Sequence, residues 1–411
     1  MRLVSSKLLL VASLSTLLGC GSASSAAPTD GGTNADANGA DANGANDVGV
    51  ADSGSESGGT DAGGSFAGNP HGHCTSLTIP PEGQPADVSK PTAVIGTGTP
   101  ASCTFAALSA AVSAGGVITF DCGPAPTTIA VTATMSLPTS KDTVIDGGRL
   151  ITLDGGGKVP ILRFDSPNFQ ATETRVTVQH LRFVNGLIAG SKPIPTAPAP
   201  CSQGFDDGEG GAIYMRDGNL SVIDSVFQND KAAPLGPDVA GGAIRMLGSK
   251  HGVVIVGSSF LSNSASNGAA VGCLFSELDV YDSLFDGNVA SGHDANNADA
   301  SKCSVQNNGQ YEIGSGGNGG ALYSDGNSVN VVLCGDEIVN NAAGTNAYGG
   351  GLFFTSNNYG GTLTIADTNM TGNTGGHWTQ VKSGSVTNAG TAVGTNCQSI
   401  TIKSSTIQGV P

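Results

Sequence analysis

The chain has 411 residues and carries 33 acidic against 17 basic side chains, a formal net charge of −16. That excess repels phosphate backbones and anionic membranes, which argues against a nucleic-acid partner and gives no electrostatic help toward an acidic polymer.

The N-terminal stretch MRLVSSKLLLVASLSTLLGC places Arg2 and Lys7 before an apolar run too short to span a membrane as a mature helix, so it reads as a secretory signal. Its last four residues, Leu17-Leu18-Gly19-Cys20, resemble a bacterial lipoprotein box. The resemblance implies cleavage after Gly19 and acylation of Cys20; an ordinary signal peptide with an incidental Cys is the alternative. Gly21 stands where an Asp signals inner-membrane retention in many Gram-negative bacteria, which implies the outer membrane or cell surface. Several acyl chains on Cys20 would anchor the chain stably where one would not.

From Cys20 to Gly68 the text is Gly, Ala, Ser, Asn and Asp, with acidic residues at 30, 36, 41, 47, 52, 56 and 61 and no Lys or Arg. Such a segment cannot bury enough apolar area to offset its ordering entropy, and its like charges extend it. It reads as a tether. Residues 69–411 then form one domain. At its start, His71, His73 and Cys74 in NPHGHC suggest a metal site only weakly.

In CTFAALSAAVSAGGVITFDC, Phe105, Leu108 and Val112 share one face of a short amphipathic helix, followed by a strand. Cys103 and Cys122 flank this unit and are the best disulfide candidates. Setting Cys20 aside, eight of the nine cysteines remain, so up to four disulfides are expected in an exported chain, without fixed pairing.

From Gly210 onward a phrase recurs: Gly-Gly-Ala-(apolar), an alternating strand, then Phe-x-x-Asn or Asp, with further copies at Gly241, Gly268, Gly319 and Gly350. Aligning on the Phe-type residue gives the column Phe183, Phe227, Phe260, Phe285, Ile338, Met370 and Ile407. Seven residues earlier stand Val176, Leu220, Val253, Leu278, Val331, Leu363 and Ile400. Five residues earlier stand Val178, Val222, Ile255, Val280, Leu333, Ile365 and Ile402. Unbroken apolar columns at a spacing of two mark strands with one buried face. The clean repeat lengths, 33 (Phe227 to Phe260), 25 (Phe260 to Phe285) and 32 (Ile338 to Met370), indicate a solenoid whose coils bury their apolar face only when stacked. Asn263, Asn288, Asn341 and Asn373, each three after the column, suit a ladder of side-chain amides, or else are ordinary turn residues.

Gly-Gly-Ala-Ile paired with Phe-x-x-Asn resembles the repeat of the polymorphic outer-membrane proteins. From Cys103 to the end the chain resembles the pectin-lyase-like superfamily. The fold implied is all-β, a single-stranded right-handed parallel β-helix with a short N-terminal capping helix. Lipid at Cys20 would replace the C-terminal barrel that anchors the polymorphic proteins.

Alternation places Tyr214, Arg245, Gly272, Tyr323 and Phe353 outside, one per coil, so this wall is the expected ligand surface, stacking sugars on Tyr214, Tyr323 and Phe353 beside Arg245. Simple stiffening of the solenoid is the competing role. Two insertions, 187–209 and 290–316, should overhang the wall. Each holds one Cys, so Cys201 and Cys303 could bridge them. Asp206, Asp207 and Glu209, with Asp294, Asp299 and Glu312 in the second insertion, are candidate calcium ligands or plain solvated acids; no other cofactor is indicated. Trp378, beside His377, reads as packing.

Asp206-Asp207 resembles the double Asp of polygalacturonases, but the Asn-Thr-Asp, Gly-His-Gly and Arg-Ile-Lys motifs are missing, as are the patterns of classical pectate lyases. Arg245, Arg216, Lys250, His251, Tyr214, Asp206 and Asp207 are what remains as candidate catalytic groups. Two functions stand: a monomeric, lipid-anchored surface protein that binds a polysaccharide or a surface protein without catalysis, or a lyase or hydrolase of a uronate-containing polymer. The absent motifs favour the first.

Overall fold

The computed structural model describes residues 66–190, 208–293, 295, 306–307, 310–311, 316–345, 347–375 and 392–408. These residues form a right-handed parallel β-helix with three faces. The first face stacks Met135–Ser136, Leu162–Asp165, Ile213–Arg216, Ile244–Leu247, Val271–Leu274, Leu322–Gly326, Leu352–Ser356 and Val393–Asn396. The second face stacks Asn219–Ile223, Val253–Val256, Leu278–Tyr281, Val331–Cys334, Thr362–Ala366 and Ser399–Lys403. The third stacks Val226–Gln228, Ser259–Leu261, Leu284–Asp286, Glu337–Val339, Asn369–Met370 and Thr406–Ile407. In the earlier coils the long strands Thr143–Asp154 and Arg175–Val184 serve the second and third faces in one run. The one antiparallel pairing among the described residues joins Gln306–Asn307 to Gln310–Tyr311.

All three apolar columns fall in register, coil upon coil. Their members down to Leu333 and Ile338 have no accessible surface, or 1% at Val253, and belong to one continuous core. Phe183, Phe227, Phe260 and Phe285 stack nearly coplanar, with centroids 4.8, 4.8 and 4.7 Å apart. The strand repeat of about 4.8 Å sets that spacing, so identical side chains at identical positions must stack face to face. Each contributes roughly 2–3 kcal/mol through burial alone.

The corners are polar and equally regular. The Asn263, Asn288 and Asn341 amides each donate to the carboxamide oxygen of the next coil, at 2.9, 2.9 and 3.0 Å. Each also donates to the carbonyl of the Phe in the coil before, Phe227, Phe260 and Phe285. The backbone N–H of each Asn donates to the same oxygen as its amide, so the expected ladder is present. Between the second and third faces runs a hydroxyl ladder: Ser225, Ser258, Ser283 and Thr368 each donate to the carbonyl two residues back.

The N-terminal end is closed by the helix Phe105–Ala114. Thr104 caps its first turn by accepting from the Ala107 N–H at 3.3 Å, and Leu108 and Val112 are buried. Gly115, at φ 64°, ends it in a conformation that costs glycine little. The Cys103–Cys122 disulfide ties the helix to the strand that follows it.

A feature that the repeat does not announce is a strap, residues 66–95, running along the outside of the second face. Its path follows the column of left-handed corner residues Asp224, Gly257, Asp282, Gly335 and Asp367. Ala67 N–H donates to Asp224 Oδ1, Cys74 N–H to Asp282 Oδ1, and Thr75 and Ser76 donate through backbone and hydroxyl to the Asp367 carboxylate. At Gly335 the strap backbone passes so closely that a Cβ would lie 2.2 Å from Cys74 N. Leu77 and Ile79 then pack on Val254, Tyr281 and Ala366, and Ala93–Ile95 pairs with Ile118–Phe120. The Cys74–Cys334 disulfide, spanning 260 residues, staples strap to solenoid.

The cysteine expectation needs correcting. Two disulfides join four of the described cysteines, while Cys273 and Cys397 are buried free thiols. Burial pushes the Cys273 thiol up to about 12, which makes it inert packing. Cys201 and Cys303 lie outside the described residues, as does Cys20.

Candidate functional site

The expected outer wall exists as a column but not as an open surface. Tyr214, Arg245, Gly272, Tyr323 and Phe353 are in register on the first face and none belongs to the central core. Ala240, Gly268 and Tyr348, at the turns into the first-face strands, fold back across the column. A Cβ on Gly272 would meet Ala240 Cβ at 2.4 Å, one on Gly268 would meet Tyr323 Cβ at 2.5 Å, and one on Gly394 would meet Tyr348 Cβ at 2.8 Å. Large column residues thus face small partners and the reverse, and the chain covers its own wall. Tyr214 and Tyr323 are 3% exposed and Arg245 has no exposed surface. Phe353 is half-buried, stacked between Tyr323 and Tyr348 with centroids at 5.5 and 6.0 Å. A sugar cannot stack on the Tyr214, Arg245 and Tyr323 part of this wall.

Arg245 is instead half of a buried ion pair, Nη2 lying 3.1 Å from Glu209 Oε1. The same oxygen accepts the Ala240 N–H at 3.1 Å. This corrects both Arg245 as a catalytic cation open to substrate and Glu209 as a calcium ligand, since the carboxylate is already neutralised. Burial, with the Glu209 charge, pushes the Tyr214 phenol up to about 12. Tyr323 donates to Asp325 Oδ2 at 3.0 Å and Asn357 donates to Asp325 Oδ1 at 2.7 Å. Burial first, then the Asp238 charge, raises the Asp325 carboxyl to about 6.

Cys74 is spent in a disulfide. Its sulfur, that of Cys334 and an Asp367 oxygen lie within 4.8 Å of one another, but disulfide sulfurs are not thiolate ligands, and His71 pairs with Glu337 Oε2 at 2.7 Å. The metal reading of NPHGHC is corrected accordingly. Asp206, Asp207, Asp294, Asp299, Glu312, His377 and Trp378 lie outside the described residues.

The groups that reach solvent collect at the corner between the first and second faces. Arg163 and Arg216 share Asp165, at 2.7 and 3.9 Å, and the Arg163 guanidinium sits 4.2 Å over the Tyr214 ring. Lys250 and His251 both bond Glu173, His251 at 2.9 Å, and these bonds hold the Glu173 carboxyl below its usual range. Between the two groups the loop 166–174 arches over the corner. Asp217, left-handed at φ 58°, fixes it by accepting from Ala171 N–H at 2.7 Å, Ser166 Oγ at 2.9 Å and Thr172 Oγ1. Gln170 adds bonds to the carbonyls of Gly248 and Phe275 at 2.8 and 2.9 Å.

The loop presents Phe169, 57% exposed. Its ring meets Phe275 edge-on, centroids 5.7 Å apart at 71°, and lies against Gly248, where any Cβ would strike it. Tyr359, at a later coil, is the other exposed aromatic among the described residues. Both were missed in the sequence. The available signal was Phe275, a bulky residue at a corner position filled in neighbouring coils by Asp217 and Gly248, where φ is positive and an aromatic is rare.

Comparison of the chain with protein-family models, with curated proteins and with solved structures gives no match.

Proposed function

We propose that the chain is a lipid-anchored cell-surface protein of pectin-lyase-like architecture whose β-helix binds a polysaccharide without cleaving it. The observation that carries the binding reading is the braced, exposed Phe169 ring. The loop holds this aromatic face open to solvent beside charged groups, so a sugar ring can stack on it while Arg163, Arg216, Lys250 and His251 bond its hydroxyls. The non-catalytic reading draws support from the burial of Arg245, which removes the strongest cation from any uronate. The anchor rests on the Leu-Leu-Gly-Cys box.

Two measurements test this. Binding of residues 66–411 to a glycan array should fall at least tenfold on Phe169→Ala; unchanged binding defeats the corner as the site. Labelled palmitate should enter the full chain expressed in a Gram-negative host and be lost on Cys20→Ala; label retained in that variant defeats the anchor.

A second reading, a uronate lyase or hydrolase, is favoured by Asp325, whose raised carboxyl beside Tyr323 and Asp238 has the character of an acid–base group. Release of unsaturated or reducing ends from a panel of uronate polymers, lost on Asp325→Asn, would establish it in place of the first.

A further inference from the structure

The asparagine ladder begins on an aspartate. Asp230 stands three after Phe227, where later coils have Asn263, Asn288, Asn341 and Asn373, and it has no accessible surface. One of its oxygens behaves as the ladder requires: Oδ1 accepts the Gly186 N–H at 2.7 Å, and its backbone N–H donates to Asn263 Oδ1 at 2.9 Å. The other, Oδ2, takes the place of an amide nitrogen. In Asn263 that nitrogen donates to Asn288 Oδ1 at 2.9 Å and to Phe227 O at 3.1 Å. By the register of the ladder, the acceptors that correspond for Asp230, one coil earlier, are Asn263 Oδ1 and Phe183 O. Oδ2 is buried and makes no hydrogen bond. An ionised carboxylate here would set oxygen against oxygen in a dry interior, with Asp154 adding a like charge.

We propose that Asp230 holds a proton on Oδ2 at neutral pH, so that a carboxylic acid supplies the donor that an amide supplies at Asn263, Asn288, Asn341 and Asn373. The proton completes the ladder at its first rung. Burial raises the carboxyl well above its ordinary range, and Asp154 adds to this. Among the described residues, the charged or titratable groups about the site are Asp154, whose Oδ1 accepts from Asn185 Nδ2 at 3.0 Å, and Lys231, the next residue in the chain and itself exposed. The consequence has a definite sign. An Asp whose folded pKa lies above its unfolded value contributes stability that is complete below the unfolded pKa and lost as pH rises toward the folded one. The first ladder rung is therefore strongest in acid and weakest in alkali.

Asp230→Asn supplies the same donor without a proton. Urea unfolding of the full chain, wild type against Asp230→Asn, should give nearly equal folding constants near pH 4. The ratio should then move in favour of the variant by about tenfold per pH unit above that, until the folded pKa is reached. Because other acids are common to both proteins, the ratio isolates this one. The carboxyl carbon resonance of Asp230, assigned as the signal lost in the variant, should stay in its protonated position at pH 7. A pH-independent ratio, or an ionised carboxyl at pH 7, would overturn the assignment. So would a wild type stabilised over the variant by added calcium, because a cation would then occupy the proton's place.

Discussion

The third face and the corner between the first and second faces are built by the same chain on opposite principles. On the third face successive coils repeat: Phe183, Phe227, Phe260 and Phe285 stack, and Asn263, Asn288 and Asn341 each bond the carboxamide of the next coil. At the opposite corner adjacent coils differ, since Asp217, Gly248 and Phe275 occupy successive equivalent places. An inserted loop is braced on all three. Repetition makes a surface dry and self-satisfied; departure from it leaves aromatic and charged groups facing water. The difference teaches where to look for function in a solenoid: where the repeat is broken by residues that its geometry disfavours.

The strongest way to break the regular side is Phe260→Ala. It removes a ring sandwiched between Phe227 and Phe285 in a core with no space to relax, and should cost about 3–5 kcal/mol by urea unfolding. Arg245→Met should cost a similar amount, about 3–5 kcal/mol, by leaving Glu209 charged and buried. The double variant Glu209→Leu with Arg245→Met should recover most of that loss in the same assay, because a buried ion pair exchanged for apolar groups of like volume is often neutral. If Arg245 were a substrate-binding cation, the single variant would spare stability and abolish function.

These expectations rest on how unevenly the sequence disclosed the molecule. The apolar columns and the asparagine ladder were legible because both follow from backbone periodicity, which the strand geometry enforces at every coil. The outer wall was legible only in part. Alternation says which side of a sheet Tyr214 and Arg245 occupy, but not that Ala240, Gly268 and Tyr348 return to cover it, which depends on paths between strands. The strap was not legible at all: Thr75 meets Asp367 across 292 positions and Cys74 meets Cys334 across 260, with no local pattern at either end. Cys103–Cys122, only 19 apart around one helix and strand, could be read. Parity alone overcounted the bridges, because a buried Cys is also a small apolar residue.

A smaller effect is read by pH on the first and second faces. Burial raises Asp279 and Asp325 to about 6, so each contributes stability that is whole below about pH 4 and lost as pH rises through 6, on the order of 2 kcal/mol apiece. Asp146 has the opposite sign. Burial works to raise it, but bonds from His180, Gln179 and the Gly148 N–H outweigh that and leave it lowered, so its share is lost only as pH falls below the ordinary Asp range. The melting temperature should therefore climb from pH 8 to pH 5 and turn down below about pH 3.5, and Asp279→Asn should flatten the upper limb.

The smallest expected change in stability comes from the residue expected to matter most for binding. Phe169 is mostly in water and rests on Phe275 by an edge, so Phe169→Ala should shift unfolding by no more than about 0.5–1 kcal/mol. The loop would persist, since Asp217 and Gln170 hold it through bonds that do not involve the ring. A site on this corner thus predicts a dissociation: glycan affinity falls while melting temperature and far-ultraviolet dichroism stay put. Tyr359→Ala should behave in the same way with a lesser loss, because that ring is 37% exposed against 57% for Phe169. If Phe169→Ala instead unfolded the protein in proportion to the binding it lost, the exposed ring would belong to the scaffold, and the broken corner would be only a flaw in the repeat.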